Sequence, residues 1–220
     1  MIRKLKTGRR APVSGKLRNV VVLLHGYGAD GNDLLGLADP LGQHLPDTLF
    51  LAPDAPEPSV MNPMGRQWFP IPYLDGSSEE VAAEGLARAA GDLDAWLDAM
   101  LEEEGVTPSQ VVLLGFSQGT MMSLHVAPRR AVALAGVVGF SGRLLAPERL
   151  ADDARSKPPV MLLHGDADDV VPFGQLRAAA DALTRAGFET FGHVMKGTAH
   201  GIAPDGLSAA LAFLREKLPA

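Results

Sequence analysis

Short apolar runs alternate along this chain with longer segments of helical periodicity. The apolar runs, each predicted to form a β-strand, are residues 20–24, 48–51, 111–114, 135–138, 160–163 and 190–194. Helical spacing predicts helices over residues 79–104, 120–127, 173–186 and 205–218. Because the strands are almost continuously apolar, helices must cover both faces of their sheet. The pattern therefore predicts an α/β fold with a doubly wound, mostly parallel sheet, whose ligands bind beyond the carboxyl ends of the strands.

Length and composition indicate one ordinary globular unit. The chain has 220 residues, with no Pro/Gly/Ser-rich linker between two halves and no repeat of fixed period, so we expect a single domain over residues 1–220. Hydrophobic residues make up 46% of the chain and charged residues 21%, as in soluble globular proteins. No apolar run is long enough to cross a bilayer, so stable membrane insertion is not expected.

Charge and cysteine content narrow the partners and the compartment. A net charge of −6 argues against general affinity for nucleic acid. The start of the chain is the exception, with seven basic residues before the first acidic one; a basic arm or a weak targeting signal is one interpretation, and a solvated first strand with a turn is the favoured one. No apolar segment of a secretory signal follows. The chain has no cysteine, hence no disulfide and no thiolate nucleophile, and the cytoplasm is the default location.

The segment Gly115-Phe116-Ser117-Gln118-Gly119 carries the clearest chemistry. It lies between a predicted strand and a predicted helix, which is the setting of a nucleophile elbow, a sharp turn that presents a serine hydroxyl above the sheet. The two glycines leave room for strand and helix to close together. Gln118 begins the helix, so its backbone N–H is free to bind a developing oxyanion. We predict Ser117 as the nucleophile; the other interpretation is an ordinary turn residue.

A serine nucleophile needs a base and an acid that orients the base. Of the six histidines, His200 lies in a small-residue loop after the last predicted strand, from which an imidazole can reach the elbow. The turn that follows the strand 160–163 offers three acids, Asp166, Asp168 and Asp169, and the residues alone do not separate them. A calcium loop is not expected there, because the glycine and the distal glutamate of that motif are missing. No metal or other cofactor is predicted.

Several segments together resemble the phospholipase/carboxylesterase family of α/β-hydrolases, which includes acyl-protein thioesterases and bacterial carboxylesterases. The matching segments are Leu24-His25-Gly26-Tyr27-Gly28-Ala29-Asp30-Gly31, Ala52-Pro53-Asp54-Ala55-Pro56, Gln67-Trp68-Phe69, the elbow, His164-Gly165-Asp166-Ala167-Asp168-Asp169-Val170-Val171-Pro172 and His200. The resemblance implies an α/β-hydrolase fold and a triad of Ser117, Asp168 and His200. It also implies an oxyanion hole formed by the backbone N–H groups of Tyr27 and Gln118.

The proline-rich loop before the long helix bears on substrate binding. Trp68 and Phe69 lie in it, and we predict that they contact substrate, although an equal role is to pin the loop to the core. Residues 61–75 are also long enough to form a small flap over an acyl groove. By contrast, residues 141–158 are too few to hold a helical lid. An open, modest cleft for a small-molecule ester is therefore expected.

The predicted function is a serine carboxylesterase that hydrolyses short- to medium-chain esters through an acyl-enzyme. A lysophospholipase or an acyl thioesterase would use the same triad, and substrate choice is not encoded in it. A protein that only binds an acyl ligand is a weaker possibility, because such a protein would be free to lose its serine or histidine. A dienelactone hydrolase is disfavoured by the lack of cysteine. The oligomeric state stays open, with a homodimer as one option.

Overall fold

The computed structural model describes residues 3–219, and within them one seven-stranded sheet organises the chain. The strands of the described chain are β1 (Thr7–Arg10), β2 (Asn19–Leu24), β3 (Thr48–Pro53), β4 (Glu57–Pro58), β5 (Arg66–Gln67), β6 (Val111–Phe116), β7 (Gly136–Phe140), β8 (Val160–Gly165) and β9 (Thr190–Met195). The α-helices are α1 (Gly31–Leu35), α2 (Ala38–Gly42), α3 (Pro72–Asp75), α4 (Glu79–Glu104), α5 (Gln118–Val126), α6 (Leu150–Asp153), α7 (Gly174–Arg185) and α8 (Pro204–Lys217). Three short 3₁₀ turns cover Pro108–Gln110, Ala127–Arg129 and Pro147–Arg149.

The main sheet is parallel apart from its first strand. Its order is β1-β3-β2-β6-β7-β8-β9, and β1 alone runs antiparallel, against β3. Strands β2 and β6 are completely or almost completely buried, as expected for strands covered on both faces. The predicted α/β-hydrolase architecture, a mostly parallel sheet between two helical layers, is confirmed. That the whole chain forms a single domain stays a prediction.

Alternate residues of each strand pack into two separate cores. Val20, Val22 and Leu24 of β2 face a core closed by α4, α5 and α7, whereas Val21 and Leu23 face a second core closed by α1, α2 and α8. This alternation follows from the two-residue period of a strand. The loops at the carboxyl ends of the strands are therefore attached to a sheet that is packed on both faces.

The boundaries predicted from periodicity agree closely with the observed ones, except in the short elements. Helix α4 begins and ends where predicted, with Ser78 as its N-cap and Gly105 in the left-handed conformation at its end. The short helices α1, α2, α3 and α6 were not predicted. Neither was the hairpin of β4 and β5 inside the proline-rich loop, whose strands have two residues each. Elements this short contain too few turns to show a period.

The basic start of the chain forms the solvated strand β1 and pairs with acidic residues. Arg3 binds the buried carboxylate of Asp92 at 2.6 Å, and Arg9 pairs with Glu104, so both contact helix α4. The favoured interpretation, a first strand with exposed arginines, is thus confirmed over a free basic arm. Within residues 3–219, no helix is both long and apolar enough to cross a membrane.

Candidate active site

Ser117 stands on the sharp turn between β6 and α5. Its backbone angles are φ 52° and ψ −113°, a conformation that non-glycine residues rarely adopt and that the surrounding structure must stabilise. The Ser117 N–H donates to the Phe140 carbonyl at 2.9 Å, which ties the turn to the neighbouring strand β7. A Cβ on Gly119 would overlap the Leu24 carbonyl, and one on Gly115 would overlap the Gly119 backbone. The glycines of the motif are therefore required by close backbone packing.

His200 lies beside the elbow, on the loop between β9 and α8. Its ring packs against that of Phe116 with centroids 4.8 Å apart, and its Nδ1 is 2.9 Å from Oδ2 of Asp168. Because an ionised carboxylate only accepts, Nδ1 carries the proton and Nε2 is left as the basic nitrogen. No hydrogen bond joins Ser117 Oγ to His200 among the described residues. This is common in enzymes without substrate, where the bond tightens on binding.

The carboxylate of Asp168 is fully buried and held from several sides. Its Oδ1 accepts from the N–H groups of Val170 at 3.0 Å and Val171 at 2.9 Å, in addition to His200. Burial alone would raise the pKa of Asp168, but the hydrogen bonds from His200 and Val171 outweigh it, so this pKa lies below its ordinary value. Asp168 is therefore ionised at neutral pH.

The other two aspartates of the same turn are placed elsewhere. Asp166 is exposed and accepts from the Gly197 N–H at 2.6 Å, which fixes the start of the loop that carries His200. Asp169 is exposed to solvent. Only Asp168 of the three lies within hydrogen-bond distance of His200. Within residues 3–219 no group of acidic and histidine side chains has the arrangement of a metal site.

Two backbone N–H groups near Ser117, those of Tyr27 and Gln118, belong to different segments of the chain. Gly26 approaches Ser117 so closely that a Cβ on it would lie 3.4 Å from the Ser117 Cβ, which brings the neighbouring Tyr27 N–H to the elbow. In the described part of the chain, neither the Tyr27 nor the Gln118 N–H is hydrogen-bonded to another protein group. Both are therefore available to bind an oxyanion. In an α/β-hydrolase, one such donor comes from the start of the helix after the nucleophile and the other from a loop after an early strand.

The loop that carries Tyr27 is held by the β4–β5 hairpin. The Gly28 N–H donates to Arg66 O at 2.8 Å, and the Asn62 side-chain amide donates to Gly28 O at 2.7 Å. His25, fully buried, donates from Nδ1 to Gly26 O and accepts at Nε2 from the Ala55 N–H. The motif His25-Gly26 therefore does more than form a turn, because the imidazole fixes the conformation of the loop.

The side chain of Gln118 has a structural role that sequence reasoning missed. Its Oε1 accepts from the Trp68 N–H at 2.9 Å and its Nε2 donates to Phe69 O at 2.8 Å, while Trp68 Nε1 donates to His25 O. Trp68 is 0% exposed, so its predicted contact with substrate is corrected: the indole fills the core and pins the loop. The signal available in the sequence was the pair of adjacent aromatic residues in the loop, Trp68 and Phe69.

Phe69 borders a cavity of about 220 Å³ near the elbow, between α4, α5 and the end of β7. Met121, one turn after Ser117, and Leu86 also border it, together with Arg143 and Glu79. A larger cavity of about 670 Å³ lies between β1 and α4. Neither cavity is lined by a triad candidate, but the smaller one lies nearer the elbow, because Met121 of α5 and Phe69 border it.

The tip of the β4–β5 hairpin exposes apolar side chains beside the Tyr27 loop. Val60, Met61 and Met64 are 64%, 63% and 89% exposed. The hairpin thus lies beside the loop that approaches Ser117, and the serine itself is nearly buried, at 9% exposed. The flap over residues 61–75 stays a prediction.

The remaining histidines lie away from the elbow or serve other contacts. His125 is on α5, where burial followed by the charge of Arg129 lowers its pKa to about 4. His193 Nε2 is 2.8 Å from Asp205 Oδ2, and His44 is exposed. These placements agree with the preference for His200.

Comparisons with known proteins agree on one group. A family model described as phospholipase/carboxylesterase matches residues 11–218. The chain is 28% identical to acyl-protein thioesterase 1 of Gibberella zeae, over 98% of this chain and 99% of that protein. It is 30% identical to acyl-protein thioesterase 1 of Saccharomyces cerevisiae, over 91% and 93% respectively. The crystal structure of esterase PE8 superposes with a TM-score of 0.93 at 42% identity, covering 98% of this chain and 100% of that one.

Proposed function

The chain belongs to the phospholipase/carboxylesterase family, and we propose that within it this protein hydrolyses short- to medium-chain carboxylic esters at Ser117. It is a carboxylic ester hydrolase, as the family and the similar solved esterase indicate. The family, the fold and the reaction class predicted from the sequence are confirmed. The observation that carries the assignment of residues is the bond between His200 Nδ1 and Asp168, which leaves Nε2 basic beside a strained serine turn.

In the proposed mechanism, Ser117 Oγ attacks the acyl carbonyl while His200 Nε2 accepts its proton. Asp168 stabilises the imidazolium that forms. The carbonyl oxygen, now negatively charged, is held by the N–H groups of Tyr27 and Gln118. Collapse expels the alcohol, which takes its proton from His200. Water then attacks the acyl-serine with the same groups, releasing the acid and restoring Ser117.

Cavity size supports the proposed acyl length. Ligand pockets for drug-sized molecules measure roughly 300–1,000 Å³, and the cavity beside Met121 is about 220 Å³. Its apolar lining suits a short or medium acyl chain. Arg143 and Glu79 border the same cavity, and they would disfavour a long apolar chain that continues past it.

A second candidate activity is thioester hydrolysis. Two of the similar proteins are named acyl-protein thioesterases, and the triad chemistry is the same for an oxygen or a sulfur leaving group. We further propose a small-molecule substrate rather than nucleic acid, from the net charge of −6, and a cytoplasmic location by default. The homodimer stays a prediction.

The test is hydrolysis of p-nitrophenyl esters from acetyl to palmitoyl, with an acyl-thioester series alongside. We expect a maximum at short or medium chains and a loss of several orders of magnitude in Ser117→Ala. Ser208→Ala, an exposed serine on α8, is the matched control and should keep full activity. Turnover near the wild-type rate in Ser117→Ala would overturn the assignment, and a thioester preference would favour the second candidate.

A further inference from the structure

His164 is a buried histidine at the end of β8 that the proposed mechanism does not use. Its side chain is 2% exposed, and its Nε2 lies 2.9 Å from Val171 O and 3.2 Å from Asp168 Oδ2. A carbonyl oxygen only accepts, so Nε2 carries a proton and donates it to Val171. The same N–H therefore lies next to Asp168 Oδ2, the carboxylate oxygen that His200 Nδ1 also approaches at 2.9 Å.

Val171 links this histidine to the acid through one short segment. Its carbonyl accepts from His164, while its N–H donates to Asp168 Oδ1 at 2.9 Å. The ring of Phe173 meets the His164 ring edge-on with centroids 6.1 Å apart, which fixes the ring's orientation. The turn that holds Asp168 is thereby attached to a strand of the main sheet.

The groups that contact Asp168 come from different kinds of element, namely a turn, a loop and a β-strand. The Val170 and Val171 N–H groups belong to the same turn as the acid, and His200 sits on a loop. His164 alone among these contacts belongs to a β-strand, which is paired on both sides with β7 and β9. In the described chain, the basic side chains with a nitrogen within 4 Å of the Asp168 carboxylate are His164 and His200.

We propose that His164 is a positioning residue for ester hydrolysis: it fixes the Val171 peptide and the Asp168 carboxylate so that His200 is held for proton transfer. The inference rests on the proposed function of the triad. His164 touches neither substrate nor the reacting atoms, and its effect passes through Asp168.

The test compares two replacements of His164 in the full chain, and a third is held in reserve. His164→Leu is apolar and removes the donor, while His164→Gln keeps an N–H near the position of Nε2. We expect His164→Leu to lower kcat for p-nitrophenyl acetate by about 10- to 100-fold, because a displacement of about 1 Å costs roughly 10²-fold. KM should change less than about twofold, and His164→Gln should recover most of kcat. If His164→Leu does not fold, His164→Asn, whose amide is too short to reach Val171 O, replaces it with the same expected loss.

Rates are expressed per reactive serine, counted by labelling with a fluorophosphonate, so that unfolded protein does not contribute. The labelling rate is then compared in the wild-type and Asp168→Ala backgrounds. If His164 acts through Asp168, His164→Leu slows labelling in the first background and has almost no further effect in the second. A purely structural role would slow labelling by the same factor in both.

Three results would overturn the inference: full kcat in His164→Leu, equal losses in the two backgrounds, or a His164→Gln variant as impaired as His164→Leu. Ser117→Ala, run in parallel, separates this inference from the proposed function. If Ser117→Ala is inactive and His164→Leu is not impaired, only the role of His164 fails. If Ser117→Ala is active, the proposed function fails.

Discussion

The buried side-chain amide of Gln118 holds the loop that carries Trp68 and Phe69, and a single substitution tests this role. Replacing Gln118 with methionine keeps the length of the side chain and removes both of its hydrogen bonds. The Trp68 N–H and the Phe69 carbonyl, 2.9 and 2.8 Å from the amide, then lose their partners inside the core. Because Gln118 and Trp68 are 0% exposed and Phe69 is 6% exposed, water has little access to either group.

The expected magnitude follows from the cost of leaving buried polar groups unpaired. Each such group costs about 1–3 kcal/mol, so the two together set an upper range of about 2–6 kcal/mol. Some relaxation of the loop around Trp68 will recover part of this. We therefore expect Gln118→Met to lower the free energy of unfolding by about 2–4 kcal/mol, a large share of the roughly 5–15 kcal/mol typical of a folded protein.

Urea unfolding followed by tryptophan fluorescence measures this change. Trp68 and Trp96 are the two tryptophans of the chain, and Trp68 sits at the perturbed contact. The slope of the transition should stay constant while the midpoint falls. Gln43→Met, at an exposed glutamine, should change the free energy of unfolding by less than about 0.5 kcal/mol. If Gln118→Met is equally neutral, the amide does not hold the loop.

Two further changes test the acyl cavity and the triad acid. Ala82 borders the cavity, so Ala82→Leu should shift the p-nitrophenyl ester optimum to shorter acyl chains. Ala87→Leu, at an exposed position of the same helix that does not line the cavity, should leave the optimum unchanged. If both variants shift the optimum equally, this cavity does not bind the acyl chain. The pKa of Asp168 is depressed below 3.8, so its ionisation stabilises the fold above that pH and the contribution is lost as pH falls through the depressed value. The deficit of Asp168→Asn in unfolding free energy should thus be larger at pH 7 than at pH 3 by urea titration; an equal deficit would contradict the depressed pKa.

Local pattern determined most of the scaffold and the nucleophile. The continuous apolar strands, the helical periodicity of the 26-residue α4 and the glycines around Ser117 are each decided by contacts close in sequence or by burial on both faces. Such features can be recognised in the sequence as periodicity and spacing. The order of serine, acid and histidine also indicated the reaction class before any contact was known.

Tertiary structure alone decided the features that depend on distant partners. The residues by themselves did not separate Asp166, Asp168 and Asp169; resemblance to the family pointed to Asp168, and the packed turn places only that carboxylate at His200. The sequence left two roles for Trp68, contact with substrate or packing in the core, and its hydrogen bonds to distant residues decide for the core. These outcomes depend on which groups meet across the sheet, because a buried polar group is stable only where a partner from another element reaches it.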